Sequence, residues 1–245
     1  MKVTPGGAPA TTVLVHSPLT GPEAWGLLPS VLRDRGHDVV VVDVPDDDAP
    51  PYASRYVARA ALQVREACGD ARVTLVGHSG AGYLLPLLGN ARRAARAPVA
   101  AYVFLDAGLP PGRPTNRLDL MRAEAPEVAD ELAALLAGGG TFPDWTDDDL
   151  RELVPDDAAR GSLVAGLRRR GADFFTETLP VAPDWPDALC SFLRLSPGYD
   201  SAARIAGLRG WSCVLGPDDR PGGHFAALVD PEAVADDLEV LLARL

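Results

Sequence analysis

The stretch Val73 to Leu88, VTLVGHSGAGYLLPLL, constrains the chain more than any other. A β-branched apolar run enters Gly77-His78-Ser79-Gly80-Ala81-Gly82, and an apolar run of helical character leaves it. Such a strand–turn–helix holds its central serine in a strained conformation at the tip of a sheet, where only small neighbours fit. Gly77 lets the backbone turn without a Cβ clash, while Gly80 and Ala81 leave room for strand and helix to approach. Ala81 stands in the fifth position, where the strict pattern has glycine, with Gly82 directly behind it. A phosphate-gripping turn is the competing reading. It fails because no P-loop lysine follows and the spacing is not Gly-x-Gly-x-x-Gly.

The rest of the chain supplies a matching frame. Short apolar strands alternate with amphipathic helices, which predicts an α/β fold with a mostly parallel sheet of about six strands covered on both faces. Strands are expected at Thr12–His16, Asp38–Val44, Arg72–Val76, Val99–Leu105, Ala188–Leu195 and Trp211–Leu215. DVVVVDV at 38–44 is nearly continuous in its apolar character, as a strand buried on both faces should be. Helices are expected around Trp25, Leu28, Val31 and Leu32, across Ser54–Cys68, and over Tyr199–Leu208. Asp230-Pro231 opens a terminal helix with the stripe Val234, Leu238, Leu241 and Leu245.

At 245 residues the chain is expected to be a single domain. Between Pro110 and Pro186 the strand–helix alternation stops, and a helical, irregular insertion carries Phe142, Trp145, Phe174, Phe175 and Trp185. Such an insertion between strands is expected to act as a lid that shapes a pocket over one end of the sheet; the plainer reading is that its aromatics only pack it onto the core. The leading residues MKVTPGGAPATT lack an apolar signal core, and no stretch nears the ~20 apolar residues of a membrane span. Cys68, Cys190 and Cys213 are scattered, odd in number and outside any metal-ligand spacing, which predicts reduced thiols in the cytoplasm. A net charge of −11 argues against nucleic acid and anionic membranes as partners, and the apolar residues of the insertion suggest a mostly hydrophobic small-molecule substrate. The oligomeric state is not legible.

Taken together, the VLVH strand, GHSGAG, the VFLDAGLP strand end and the late GGHF resemble the α/β-hydrolase superfamily. The likeness spans the chain from Val13 to the terminal helix and implies a sheet without the two N-terminal strands of the full fold. In that trimmed sheet it is similar to small esterases and to the methylesterase and hydroxynitrile-lyase group. The resemblance implies a nucleophile elbow with Ser79 as nucleophile and no metal or cofactor.

Ser79 needs a base, and four histidines are available. His16 lies at the tip of the first strand, His37 precedes the second, and His78 adjoins Ser79 with its side chain expected to point away. His224 alone follows the elbow, in Pro221-Gly222-Gly223-His224 between the last strand and last helix, where the resemblance places the catalytic base. For the acid, Asp106 at the end of its strand is favoured over Asp200, which falls slightly past the usual slot in Ser196-Pro197-Gly198-Tyr199-Asp200; Asp218 and Asp219 are read as loop-solvating. The oxyanion hole is expected from the backbone N–H groups of Gly80 and Leu19, because the chain reads His16-Ser17-Pro18-Leu19 and Pro18 has no N–H to give. These residues point to hydrolysis of an ester, thioester or lactone of a small, largely apolar molecule through an acyl-Ser79 intermediate. A lyase or cyclase using the same set for proton transfer is the alternative, and a non-catalytic ligand-binding protein a third.

Overall fold

A computed structural model describes residues 10–45 and 49–245. Most of the expected N-terminal lead therefore lies outside the described residues. In chain order the elements are β1 (Thr11–Val15), α1 (Leu28–Asp34), β2 (Val39–Val42), α2 (Tyr52–Cys68), β3 (Val73–Ser79), α3 (Leu85–Ala94) and β4 (Val99–Ala107). There follow β5 (Thr115–Asn116), α4 (Arg117–Glu124), α5 (Pro126–Ala137), α6 (Asp157–Ala165), α7 (Ala172–Thr176) and β6 (Thr178–Leu179). The chain closes with β7 (Leu189–Arg194), α8 (Asp200–Leu208), β8 (Ser212–Leu215), α9 (Ala226–Val229) and α10 (Pro231–Leu242).

Six strands form one parallel sheet in the order β2-β1-β3-β4-β7-β8. Side chains alternate between its faces, as the period of a strand requires. Val13, Leu75, Tyr102, Phe104 and Phe192 pack with residues of α2, α3 and α8. Leu14, Val76, Val103, Leu105 and Leu193 pack with those of α1 and α10. Runs such as VVVV and VAAYVFL read as continuously apolar because both of their faces are covered.

Three local expectations need correction. Trp25 and Leu28 do not share one helix. A 3-10 turn holds Pro22–Trp25, and α1 begins afresh at Leu28, with Pro29 in its first turn, where the missing N–H costs nothing. The terminal stripe ends at Leu241, since α10 stops at Leu242 and Leu245 is half-exposed. The 110–186 segment is not wholly helical and irregular. Near its two ends β5 and β6 pair antiparallel, joining Thr115 to Leu179 and Asn116 to Thr178, so the segment leaves and returns through a two-stranded neck.

Candidate active site

The expected site residues all lie at the C-terminal edge of the parallel sheet, where crevices form in open α/β folds. Ser79 is the last residue of β3, held at φ +56, and a 3-10 turn over Gly80–Tyr83 follows before α3. The crowding that demands small residues centres on Gly82. A Cβ there would lie 2.1 Å from the Gly108 carbonyl oxygen, so the turn can press against the end of β4 only as glycine. Ala81, in the fifth position, is fully buried.

Asp106 sits near the end of β4, also at positive φ (+43), and is wholly inaccessible to solvent. Its carboxylate is fully engaged. Oδ1 accepts from the N–H groups of Leu195 (2.8 Å) and Ser196 (3.1 Å), and Oδ2 from the Ser196 hydroxyl (2.6 Å) and His224 Nδ1 (2.8 Å). Burial alone would raise its pKa; the hydrogen bond and charge of His224, with the Ser196 and Leu195 bonds, hold it below the usual carboxylate range. The group therefore stays ionised and holds the His224 ring through Nδ1. Asp200 lies elsewhere: it accepts from Arg194 Nε at 2.7 Å, and the same buried guanidinium donates to Asp218 Oδ1 at 2.5 Å. Asp218 is thus an ion-pair partner rather than a merely solvated loop residue.

The four histidines separate cleanly. His16 is buried, with Nδ1–H donating to the Ser17 carbonyl (2.8 Å) and Nε2 accepting from Val44 N–H (3.2 Å); desolvation, then the charge of Arg168, lowers its pKa to about 4. His37 is paired with Glu239 at 2.8 Å, far from the crevice. His78 is not simply turned away from the site. Its Nε2–H donates to the His224 carbonyl (2.9 Å) and its ring stacks on that of His224 at 4.4 Å, while burial, then the charge of His224, lowers its pKa to about 3. A neutral His78 therefore forms the floor beneath His224.

Tyr199 is the residue that the sequence pattern did not flag. Its ring lies parallel to His224, 5.0 Å between centroids and 7° between planes. Its hydroxyl is 3.4 Å from Ser79 Oγ, the contact made by that oxygen among the described residues. Burial raises its pKa, so the phenol stays protonated. The oxyanion side also departs from expectation in detail. Leu19 N–H donates to Ser17 Oγ at 3.2 Å, and Ser17, 1% exposed, has its Oγ 3.2 Å from where a Cβ on Gly80 would stand.

Ser79, His224, Gly80, Ser17, Leu19 and Tyr199 face one cavity of about 240 Å³. Phe142, Trp145, Phe174 and Phe175 supply much of its apolar wall, whereas Trp185 packs instead on Tyr102, Phe104 and Trp211. Arg117 is also in that wall; burial lowers its pKa, and Glu177 receives its Nη1–H at 3.1 Å.

A family model described as the alpha/beta hydrolase family matches residues 12–237. The chain belongs to the alpha/beta hydrolase family. It is therefore an enzyme of the hydrolase class, and its sheet, helices and turn at Ser79 are those of that fold. Among solved structures it is similar to an extracellular alpha/beta-hydrolase from a Paenibacillus species, at 16% identity and a TM-score of 0.73, over 95% of this chain and 99% of that one. That protein is described as sharing structural and functional homology with tobacco salicylic acid binding protein 2. Tomato methylketone synthase I, complexed with 2-tridecanone, gives 14% identity and a TM-score of 0.66 over 97% and 99% of the two chains. Polyneuridine aldehyde esterase gives 17% and 0.66 over 95% and 99%. At such identities these likenesses speak for the fold alone. A search of curated proteins finds no match. Among the described residues no helix is long and apolar enough to cross a membrane, and no cluster of side chains suits a metal ion.

Proposed function

We propose that this hydrolase cleaves an ester, thioester or lactone of a small, largely apolar substrate through an acyl-Ser79 intermediate. The observation that carries the reading is the buried, fully hydrogen-bonded Asp106 carboxylate 2.8 Å from His224 Nδ1, in a cavity that also holds Ser79. His224 Nε2 takes the Ser79 proton as Oγ attacks the substrate carbonyl, and Asp106 stabilises the imidazolium that forms. The proton then passes to the leaving oxygen or sulfur as the carbon–heteroatom bond breaks. Water, deprotonated by the same nitrogen, releases the acid and restores Ser79.

The oxyanion is held by Gly80 N–H and, in place of a second backbone donor, by the Ser17 hydroxyl. Leu19 N–H occupies a lone pair of Ser17 Oγ, which leaves the hydroxyl hydrogen free to donate toward the space beside Gly80. Leu19 thus acts through Ser17. The whole chain is read as one α/β domain in which 110–186 forms the lid, on the support of the aromatic wall it lends the cavity. The three free cysteines favour a cytoplasmic setting. Ser79→Ala tests the reading: it should abolish turnover of short p-nitrophenyl esters with unfolding unchanged. Wild-type turnover in that variant overturns it.

A further inference from the structure

A second cavity, of about 440 Å³, lies beside the one that holds Ser79. Its walls are Pro86 and Leu87 of α3, Trp185 and Trp211, and prolines from both ends of the 110–186 segment. Among the described residues, Tyr83 alone lines both cavities. The phenol lies directly on Gly108, itself part of the first cavity's wall. A Cβ at 108 would stand 2.2 Å from Tyr83 Cζ, so a glycine is what lets the ring occupy this place. One aromatic ring on the turn that carries Ser79 therefore stands between the smaller cavity and the larger one.

We propose that Tyr83 sets the length of acyl chain that the site accepts, and that the second cavity is a distal acyl-binding subsite closed by its ring. The inference rests on the acyl-Ser79 reading. Two indoles, a leucine, a valine and several prolines offer an alkyl chain apolar contact, and the charged residue of the lining, Arg209, holds its guanidinium 5.5 Å over the Trp211 ring, so the occupant best matched to the wall is a straight hydrocarbon tail. An acyl tail is favoured over an alcohol tail because the acyl carbon is the one bonded to Ser79 Oγ, and Tyr83 belongs to the same turn as Ser79. With the ring in place, a chain that fills the first cavity meets Tyr83 and gains nothing from further methylenes. With the ring removed, each methylene that enters the second cavity is worth roughly fourfold in kcat/KM.

The test is the chain-length profile of kcat/KM for p-nitrophenyl esters from acetate to dodecanoate, with alkyl butyrates of rising alcohol length as the second arm. Tyr83→Ala is expected to raise the dodecanoate-to-butyrate ratio by at least tenfold; Tyr83→Leu serves the same purpose if the alanine variant unfolds. Tyr83→Phe keeps the ring and should keep the wild-type cut-off. Adding Leu87→Trp to Tyr83→Ala fills the second cavity and should take the gain away. An unchanged cut-off in a folded, active Tyr83→Ala, a gain that survives Leu87→Trp, or a gain confined to the alcohol arm overturns the proposal. If no ester is turned over and Ser79 takes no fluorophosphonate, the acyl-serine reading falls and carries this inference with it; an unchanged cut-off in Tyr83→Ala with turnover and Ser79 labelling intact sinks this inference alone.

Discussion

Two buried histidines make the fold sensitive to mild acid. Folding lowers the pKa of His78 to about 3 and that of His16 to about 4, in both cases chiefly by desolvation. In the unfolded chain both return to the ordinary value of about 6.5. Between those limits the unfolded state binds more protons, so stability rises with pH. The contribution is fully present above about pH 6.5 and is lost as pH falls toward the folded-state values. At pH 5 each histidine lies about 1.5 units below its unfolded pKa while remaining neutral in the fold, a cost of about 2 kcal/mol apiece. The pair thus removes about 4 kcal/mol relative to neutral pH, a large part of the 5–15 kcal/mol typical of a domain. Most carboxylates titrate below this window, so the histidines dominate it. Urea unfolding followed by tryptophan fluorescence at pH 7 and pH 5 reads the loss, and His78→Gln or His16→Asn should each flatten the dependence by about half while lowering stability at pH 7. Equal unfolding free energies at the two pH values, within about 1 kcal/mol, would refute the reasoning.

Steady-state kinetics separates the two acids: Asp106→Asn should lower kcat by about 10⁴-fold, as loss of such a carboxylate does, whereas Asp200→Asn, which removes one partner of Arg194 and leaves it bonded to Asp218 and the Gly216 carbonyl, should cost a few-fold at most. A severe loss in Asp200→Asn with a mild one in Asp106→Asn reverses the assignment. Ser17→Ala should lower kcat by about 10²–10³-fold with little change in KM, the usual consequence of losing one oxyanion donor, and Ser17→Thr should restore much of it. An unaltered kcat in Ser17→Ala would return the role to a backbone N–H.

What was legible in the sequence follows from which signals are local. The strand–turn–helix at Ser79 could be read directly because a strained turn between two packed elements admits few residues. The parallel sheet could be read from β-branched runs whose both faces are covered. His224 and Asp106 could be placed by chain order and strand ends, though they are 118 residues apart. Side-chain relations across the sheet edge left no such mark. Tyr199 meets His224 only because β7 and β8 lie side by side, and a tyrosine after a strand has many uses. The floor formed by His78 depends on the path of the 221–224 loop, and neither segment specifies that path alone. Ser17 left a faint trace, since Pro18 removes a donor at the position beside it, but only the fold brings its hydroxyl next to Gly80. Arg194, Asp200 and Asp218 form their ion pairs through a meeting of strand end, helix start and loop that no spacing rule anticipates.

The central claim is that Ser79 is an activated nucleophile served by His224. Intact-protein mass spectrometry after exposure to a fluorophosphonate measures this directly, with peptide mapping to locate the adduct. The account predicts one phosphonyl adduct on Ser79 in the wild-type chain, none in Ser79→Ala or His224→Ala, and retained labelling in His37→Ala, whose imidazole is engaged with Glu239. An unlabelled wild-type protein, an adduct on another residue, or full labelling in His224→Ala would contradict it.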